Sequence, residues 1–478
     1  MNFSDYILKN KKNCHKKIFV DGALTYSDLF NNVNNASKKI FSKYKKKLIA
    51  VSLDNSEQFL VLYLSIIKNG NTAVLVEKGI SSERYQKILN KFNVDYFITD
   101  SNLNEEEISK EFHKKQLEVN FIKSNNIYFY TRKRIKLKNN LEKNTAIVLF
   151  TSGSSGEKKG VMLSHQNLIF NTNSILKILP INKKDIVNLL LPGNYSFGLS
   201  IINTHLKMGS SIYLHKSPFI GSVINEINKF KCTSIYGVPS TFEILLNKTD
   251  FVKKKFPTLK YLAQAGGNLD VKYKNILLKK FKNKIYIMYG ATEASPRLSY
   301  VPPKKLKEKI NSIGIPIPGV KFKLFKYKNT NLSQLGVSGQ NIMRGYLKEK
   351  NLTKKSFKGK YFLTGDLAKR DNDNFYFVKK RIDKIIKRYG YKINLDQISK
   401  IVDKLEKIKF CKTFMYEKKL ILIVQTTTND KNYLKTNIVN TLRKNFATYE
   451  IPDQILITKK NLKSINKKLS IEDILKKI

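Results

Sequence analysis

Apolar residues along this chain alternate between two spacings. Compact runs of strand length occur at Leu48–Leu53, Thr72–Val76, Tyr96–Thr99, Ala146–Phe150, Val187–Pro192, Ile212–Leu214, Thr233–Pro239 and Leu259–Ala263. Between them, Glu57–Lys68 and Ser82–Phe92 repeat apolar side chains at helical spacing, and Gly70 stops the first of these. Ahead of this series, Ile18–Leu29 carries a hairpin signal around Asp21-Gly22, and Thr25 or Ser27 is placed to cap a helix running through Phe41. Later, Gly193–Leu199 opens a helix to about Met208, and Gly221–Phe230 reads as another. Strand following strand through a helix predicts parallel, doubly wound sheets. Residues 101–143 are charged and poorly patterned and read as surface structure. Ser312–Val320 begins a smaller strand-rich piece. The last hundred residues give a helix at Leu395–Leu405, strands at Lys412–Tyr416 and Leu420–Thr426, and a helix at Lys431–Phe446. The expected fold is therefore an α/β large domain, with doubly wound parallel sheets and a small β-rich subdomain, followed by a smaller α+β domain.

Composition narrows the class. At 478 residues the chain calls for two or more domains, and 41% hydrophobic residues suffice for ordinary cores. The longest apolar run, Phe59–Ile67, falls well short of the ~20 residues a bilayer span needs. Met1–Lys9 lacks a charged-then-apolar leader pattern, so a cytoplasmic setting is expected. Cys14, Cys232 and Cys411 are far apart and show no metal spacing, which favours reduced, mostly buried thiols. The formal net charge of +52 would suit nucleic acid, a membrane surface or an acidic protein. Yet the lysines are spread over the whole chain among many Asn, Ile, Phe and Tyr, without a basic tail or compact motif. That pattern favours a general residue bias over a nucleic-acid partner.

The chemistry concentrates in Thr151–Val161 (Thr-Ser-Gly-Ser-Ser-Gly-Glu-Lys-Lys-Gly-Val), which reads as strand, polar loop, helix start. Its glycines let the backbone approach a ligand closely, and successive loop N–H groups can converge on an anion. Thr151, Ser152, Ser154 and Ser155 add hydroxyl donors, and Lys158 and Lys159 add charge. The loop lacks the Gly-x4-Gly-Lys-Ser/Thr order of the common nucleotidase loop. A second set, Tyr289-Gly-Ala-Thr-Glu293, falls at a strand's carboxyl end, where such sheets bind ligands. Tyr289 can stack on a base, Thr292 can donate to a phosphate, and Glu293 offers Mg2+ a hard oxygen. Gly266 and Gly267 allow a flat ring against the backbone, and Asp366 has two acceptor oxygens for a pair of hydroxyls.

The loop closely resembles the phosphate-binding signature of the adenylate-forming superfamily, which includes acyl-CoA synthetases, carrier-protein adenylation domains and luciferases. Lys159 takes the place of the motif lysine, while Glu157-Lys158 replaces the usual x-Pro. Tyr289–Glu293 and Tyr361–Ala368 are similar to two further signatures, and the resemblance extends over nearly the whole chain. It implies ATP or AMP contacts for Thr151, Ser152, Gly153, Ser154, Ser155, Gly156, Lys159, Gly266, Gly267, Asn268, Tyr289, Gly290, Ala291, Thr292, Asp366, Arg381 and Lys468. It implies Mg2+ at Glu293 with Thr151, and an acyl and thiol pocket at Tyr195, Phe197, Val238 and Gly390. Tyr195 stands where the family has a His. Asp383 matches the hinge, dividing an AMP-binding domain, 1–382, from a mobile domain, 383–478. Lys468, with Lys467 as the other register, matches the lysine of adenylation, and Lys387 the loop of thioester formation. Lys380, Lys392 and Lys467 depart from the family's Gly, Arg and Gly.

The resemblance implies a two-step ligase. A carboxylate first displaces pyrophosphate from ATP, and a pantetheine thiol then takes the acyl group. No acidic residue lies between Val187 and Glu226, where amino-acid-activating relatives hold an ammonium group. A fatty, aryl or other non-amino acid is therefore expected. The thiol is coenzyme A in an acyl-CoA synthetase, or the phosphopantetheine of an acidic carrier protein in a stand-alone adenylation enzyme. From another class, a basic nucleic-acid-binding protein on an inactive ligase fold is the third reading.

Overall fold

The computed structural model describes residues 1–101, 103, 108, 111–116, 127–133, 141–142, 144–152, 158–327, 331–382, 385–389, 391–417 and 419–459. The chain divides into two compact units. One comprises 1–79, 86–151 and 159–382, and the other 80–85, 152–158 and 383–478.

The first unit holds two large sheets and one smaller one. The first sheet runs Gly345–Tyr346, Lys158–Ser164, Thr145–Ser152, Thr72–Leu75, Leu48–Ser52, Tyr96–Thr99, Tyr128–Arg132 and Phe112–Gln116. Its centre is parallel: Leu48–Ser52 pairs in parallel with Thr72–Leu75 and with Tyr96–Thr99, and Thr72–Leu75 with Thr145–Ser152. These central strands are fully buried, as parallel strands covered on both faces must be. The helix Glu57–Lys68 begins where Ser56 accepts the Phe59 N–H. Thr25, not Ser27, caps the helix Tyr26–Lys39, in a reciprocal arrangement with Asp28.

Two sequence expectations need correction. Residues 101–143 are not merely surface, because Phe112–Gln116 and Tyr128–Arg132 extend the sheet as antiparallel strands. Arg132 anchors this edge. Its guanidinium donates to Val94 and Leu89 carbonyls at 2.8 Å each and lies over the Phe112 ring. The polar loop is also followed first by a strand, Lys158–Ser164, and only then by the helix His165–Leu176, where Ser164 and Asn167 form the capping box.

The second sheet runs Ile315–Pro316, Arg297–Val301, Ile285–Gly290, Tyr261–Gln264, Ser234–Gly237, Ile186–Leu189 and Ser211–Leu214. From Ile285–Gly290 to Ser211–Leu214 every neighbour is parallel, and only Arg297–Val301 and Ile315–Pro316 run against it. The carboxyl ends of five adjacent parallel strands thus share one edge. The smaller sheet orders Lys321–Lys326, Ser333–Ser338, Tyr361–Arg370 and Phe357–Lys358, with Tyr376–Arg381 on Tyr361–Arg370.

In the second unit, Ile408–Tyr416 and Lys419–Thr426 form an antiparallel pair, with Gln454–Thr458 parallel to the latter. The helices Leu395–Val402 and Lys431–Asn445 contribute Ile398, Val402, Ile438 and Leu442 to its core. Arg388, on the hairpin Ile385–Arg388/Tyr391–Asn394, donates to the Tyr449 and Ile451 carbonyls at 3.1 Å and pairs with Asp453. Its role is to hold that hairpin against the segment before the last described strand. Burial pushes the Cys232 and Cys411 thiols up to about 12, as expected of inert buried cysteines, whereas Cys14 is half-buried.

Two neutral histidines make the fold acid-sensitive. His165 Nδ1 accepts the Phe3 N–H at 3.1 Å, and His205, fully enclosed, has Nδ1 2.8 Å from the Ile201 carbonyl. Burial, the largest cause for each, lowers both to about 4. The unfolded chain therefore binds these protons first, near pH 6.5. Stability is complete above that value and is lost as pH falls from 6.5 towards 4, by up to about 3 kcal/mol per histidine. Urea midpoints measured between pH 7 and pH 4.5 are expected to fall less steeply in His205→Gln than in the parent.

Candidate functional site

The shared edge of the second sheet gathers residues distant in sequence. Ile285–Gly290 delivers Tyr289, Gly290 and Ala291, and the single turn Thr292–Ala294 follows. The next parallel strand, Tyr261–Gln264, leads into Gly266 and Gly267. Gly266 has φ +84°, and Gln264 donates to the Gly267 carbonyl at 3.0 Å. Asn268 accepts from Lys274 Nζ at 3.2 Å, and Lys274 also donates to the Ile310 carbonyl at 2.8 Å. Burial lowers Lys274 to about 8. Ser234–Gly237 ends in the buried Val238, which precedes the helix Pro239–Lys248. After Ile186–Leu189 come Tyr195 and Phe197, at the start of the helix Ser196–Met208.

Asp366 comes from the smaller sheet, where it lies opposite Arg381 across the strand pair. Arg381 Nη1 donates to Asp366 Oδ1 at 2.8 Å, and the Tyr289 hydroxyl donates to Oδ2. Burial first, and then this carboxylate, push the Tyr289 hydroxyl well up, so it stays a donor.

Glu293 is buried and accepts the Tyr346 hydroxyl at 3.0 Å. Lys159 Nζ sits 5.6 Å from the centre of the same Tyr346 ring. Backbone bonds bring these residues together. Leu347 donates to the Gly160 carbonyl at 2.7 Å, Arg344 to the Met162 carbonyl at 2.9 Å, and Met343 to the Glu293 carbonyl at 2.8 Å. Asn167 donates to the Gln340 and Ile342 carbonyls, fixing the segment from the other side. Thr292 Oγ1 lies 3.1 Å from Ser196 Oγ. Thr151 is buried at the end of its strand.

Tyr346 and Ser196 were missed as site residues in the sequence reading. The hydroxyl bond from Tyr346 to Glu293 spans 53 residues and has no local signal. Gly153, Ser154, Ser155, Gly156, Asp383, Gly390, Lys467 and Lys468 lie outside the described residues. For Ser152, Lys387 and Lys392 the backbone alone is described, with Lys387 and Lys392 as cross-strand partners.

Among the described residues no group of three metal-ligating side chains occurs. The donor at Glu293 is a single hard carboxylate, which suits magnesium held jointly with substrate phosphates.

Two large α/β sheets with parallel centres, and a polar cluster at the carboxyl ends of one of them, define the class. Residues 9–347 match the family model described as AMP-binding enzyme, and the chain belongs to that family. It is 31% identical over 267 residues to a probable 4-coumarate–CoA ligase 2 of Dictyostelium discoideum, covering 53% of this chain and 48% of that protein. To a 2-succinylbenzoate–CoA ligase of Bacillus subtilis it is 24% identical over 385 residues, covering 77% and 75%. The first of these matches thus spans about half the relative's length. Among solved structures, an o-succinylbenzoate CoA synthetase from Bacillus subtilis superposes with a TM-score of 0.81 at 19% identity, covering 98% of this chain and 97% of that one. An amide bond synthetase from Marinactinospora thermotolerans gives 0.79 at 14%, with 96% of each covered. These likenesses show the expected fold: a large α/β part with a smaller β-containing part after it.

Removing the Asp366 carboxylate leaves the Tyr289 hydroxyl and the Arg381 guanidinium without that acceptor. Asp366→Ala is expected to cost about 2–3 kcal/mol, at the low end for a broken ion pair because Arg381 is partly exposed. Urea unfolding with an unchanged denaturant slope checks it.

Proposed function

We propose that the chain is an AMP-forming acid–thiol ligase: it activates a non-amino carboxylic acid as its acyl-adenylate and passes the acyl group to coenzyme A. The observation that carries the reading is the convergence of Tyr289, Asp366 and Arg381 beside Thr292, Glu293, Tyr346 and Lys159. In this reading the base lies against Gly266–Asn268 and Tyr289–Ala291. Asp366 has acceptor capacity for the ribose hydroxyls, and Arg381 holds that carboxylate in place. Thr151–Gly156 and Lys159 take the β- and γ-phosphates. Glu293, with help from Thr151, would hold magnesium, which would supply neutralisation of phosphate charge. Tyr346 orients the Glu293 carboxylate by its hydroxyl bond. Thr292 and Lys468 donate to the oxygens that gain charge as the acid attacks the α-phosphorus, so catalysis is positioning plus electrostatics.

The acid occupies the region of Tyr195, Phe197 and Val238. The absence of an acidic residue between Val187 and Glu226 supports a substrate without an ammonium group. The reading takes 1–382 as the AMP-binding domain and 383–478 as a domain turning about Asp383, so that Lys387 and Gly390 serve the thioester step. The names of relatives, a 4-coumarate–CoA ligase and a 2-succinylbenzoate–CoA ligase, support coenzyme A as the thiol. No helix among the described residues is long and apolar enough to cross a membrane, and a cytoplasmic pool of ATP suits the reaction.

Pyrophosphate exchange across a panel of carboxylic acids tests the first step; silence with every acid at saturating ATP and magnesium rejects the ligase. AMP release dependent on coenzyme A supports the thiol assignment, and release only with a phosphopantetheinylated carrier protein replaces it. Lys468→Ala is expected to lower acyl-adenylate formation at least ~100-fold while sparing thioester formation from supplied acyl-adenylate. Lys387→Ala is expected to do the reverse. Equal loss of both half-reactions in either variant refutes that residue's assignment.

A further inference from the structure

Arg297 heads the fully buried large side chains of this protein, with 2% of its surface exposed. Its backbone is fixed from two directions. Its N–H donates to Asn171 Oδ1 at 3.2 Å, and its carbonyl accepts from Asn171 Nδ2 at 2.9 Å and Asn341 Nδ2 at 3.0 Å. Asn341 also donates to the Ala294 carbonyl at 3.0 Å, tying the whole Thr292–Arg297 turn. The side chain, by contrast, meets no anion among the described residues. Its guanidinium carbon lies 4.7 Å from the centre of the Phe197 ring, and Nε is enclosed without a hydrogen-bond partner. Among the described residues no carboxylate pairs with it, and the titratable groups acting on it are the Tyr236 and Tyr195 hydroxyls. Burial lowers the guanidinium only to about 10, so it is charged at neutral pH.

An enclosed ion without a counter-ion is strongly unfavourable, and a packed apolar side chain of similar volume is commonly better tolerated there. The aromatic face of Phe197 offsets part of that cost and leaves Nε, among the described residues, without a hydrogen-bond partner. The location is informative. Phe197 and Tyr195 flank Ser196, whose hydroxyl meets Thr292 at the reacting end of the site. One helical turn therefore touches Thr292 on one residue and Arg297 on the next. A guanidinium presents a planar fork of donors matched to a carboxylate.

We propose that Arg297 is a specificity-determining residue of the acyl pocket that receives a second carboxylate, carried by the acid substrate at the end remote from activation. This rests on the ligase reading for what the pocket is, though not for whether it binds a diacid. The substrate class is then dicarboxylic acids. The positive charge excludes cationic acids and penalises monocarboxylates, which leave the arginine unpaired.

The test uses the full chain as wild type, Arg297→Met and Arg297→Lys, with α,ω-dicarboxylates and monocarboxylates of matched chain length. Two readouts are taken: pyrophosphate exchange, and the thermal midpoint with acid present and ATP absent. Wild type is expected to prefer a diacid over its matched monoacid by ~100-fold or more in kcat/KM. In Arg297→Met that ratio is expected to fall near one, chiefly through KM, while Arg297→Lys keeps part of it. Without ligand, Arg297→Met is expected to have a higher thermal midpoint than wild type, because it relieves a buried charge; a purely structural arginine would give a lower one. A diacid that raises the midpoint of wild type but not of Arg297→Met sustains the proposal even if no acid supports exchange, in which case the ligase reading alone fails. Equal use of mono- and diacids by wild type overturns the proposal. So does a diacid that neither shifts the midpoint nor supports exchange, or an Arg297→Met variant with a lower midpoint and an unchanged diacid-to-monoacid ratio.

Discussion

The site depends on one carboxylate with two occupied sides. Asp366 belongs to the smaller sheet and Tyr289 to a strand of the second large sheet, and their hydrogen bond joins the two sheets at the site, as the backbone bridge between Gly314 and Tyr376 does elsewhere. Arg381 takes the other oxygen from the neighbouring strand. Burial makes this arrangement demanding, since an ion in a low-dielectric interior must have its lone pairs satisfied. With one donor on each oxygen, the tyrosine ring and the carboxylate are held in fixed relation while acceptor capacity remains, which is the preorganisation that binding a polar ligand requires.

A second join works by the same economy. Glu293, Tyr346 and Lys159 come from three separate segments, yet the backbone bonds of 343–347 to Gly160, Met162 and Glu293 bring them side by side. The strand Lys158–Ser164 is thus both one flank of the polar loop and the rail on which Tyr346 is mounted. The helix Ser196–Met208 makes a third join, with Ser196 on Thr292 and Phe197 under Arg297. Family membership accounts for the first of these devices through visible signatures.

The net charge of +52 places few demands on this interior. Lysines that reach inward find specific acceptors, as Lys309 does with Asp371 and Asp373, and Lys274 does with a carbonyl and Asn268. Side-chain pairs near the surface such as Lys253–Asp250 contribute little and are screened by salt. The charge is therefore carried on solvated faces, in keeping with a bias of composition.

The sequence by itself determined the central parallel strands, because buried runs such as Leu48–Ser52 and Thr72–Leu75 and the capped helix between them follow local periodicity. It also marked the residue sets around Thr151, Tyr289 and Asp366 as candidates, since each set is contiguous and its chemistry is readable in one short stretch. Only the tertiary structure decided the rest. Phe112–Gln116 and Tyr128–Arg132 are strands because a sheet edge was there to pair with them, and their own pattern is too polar to announce it. Lys158–Ser164 became a strand rather than a helix start because it lies beside Thr145–Ser152 and Gly345–Tyr346. The isolation of the Arg297 guanidinium, like the hydroxyl of Tyr346 on Glu293, is a property of what surrounds a residue in space. Periodicity records which face a side chain takes; it carries no record of which partner, or which absence of one, the folded chain supplies.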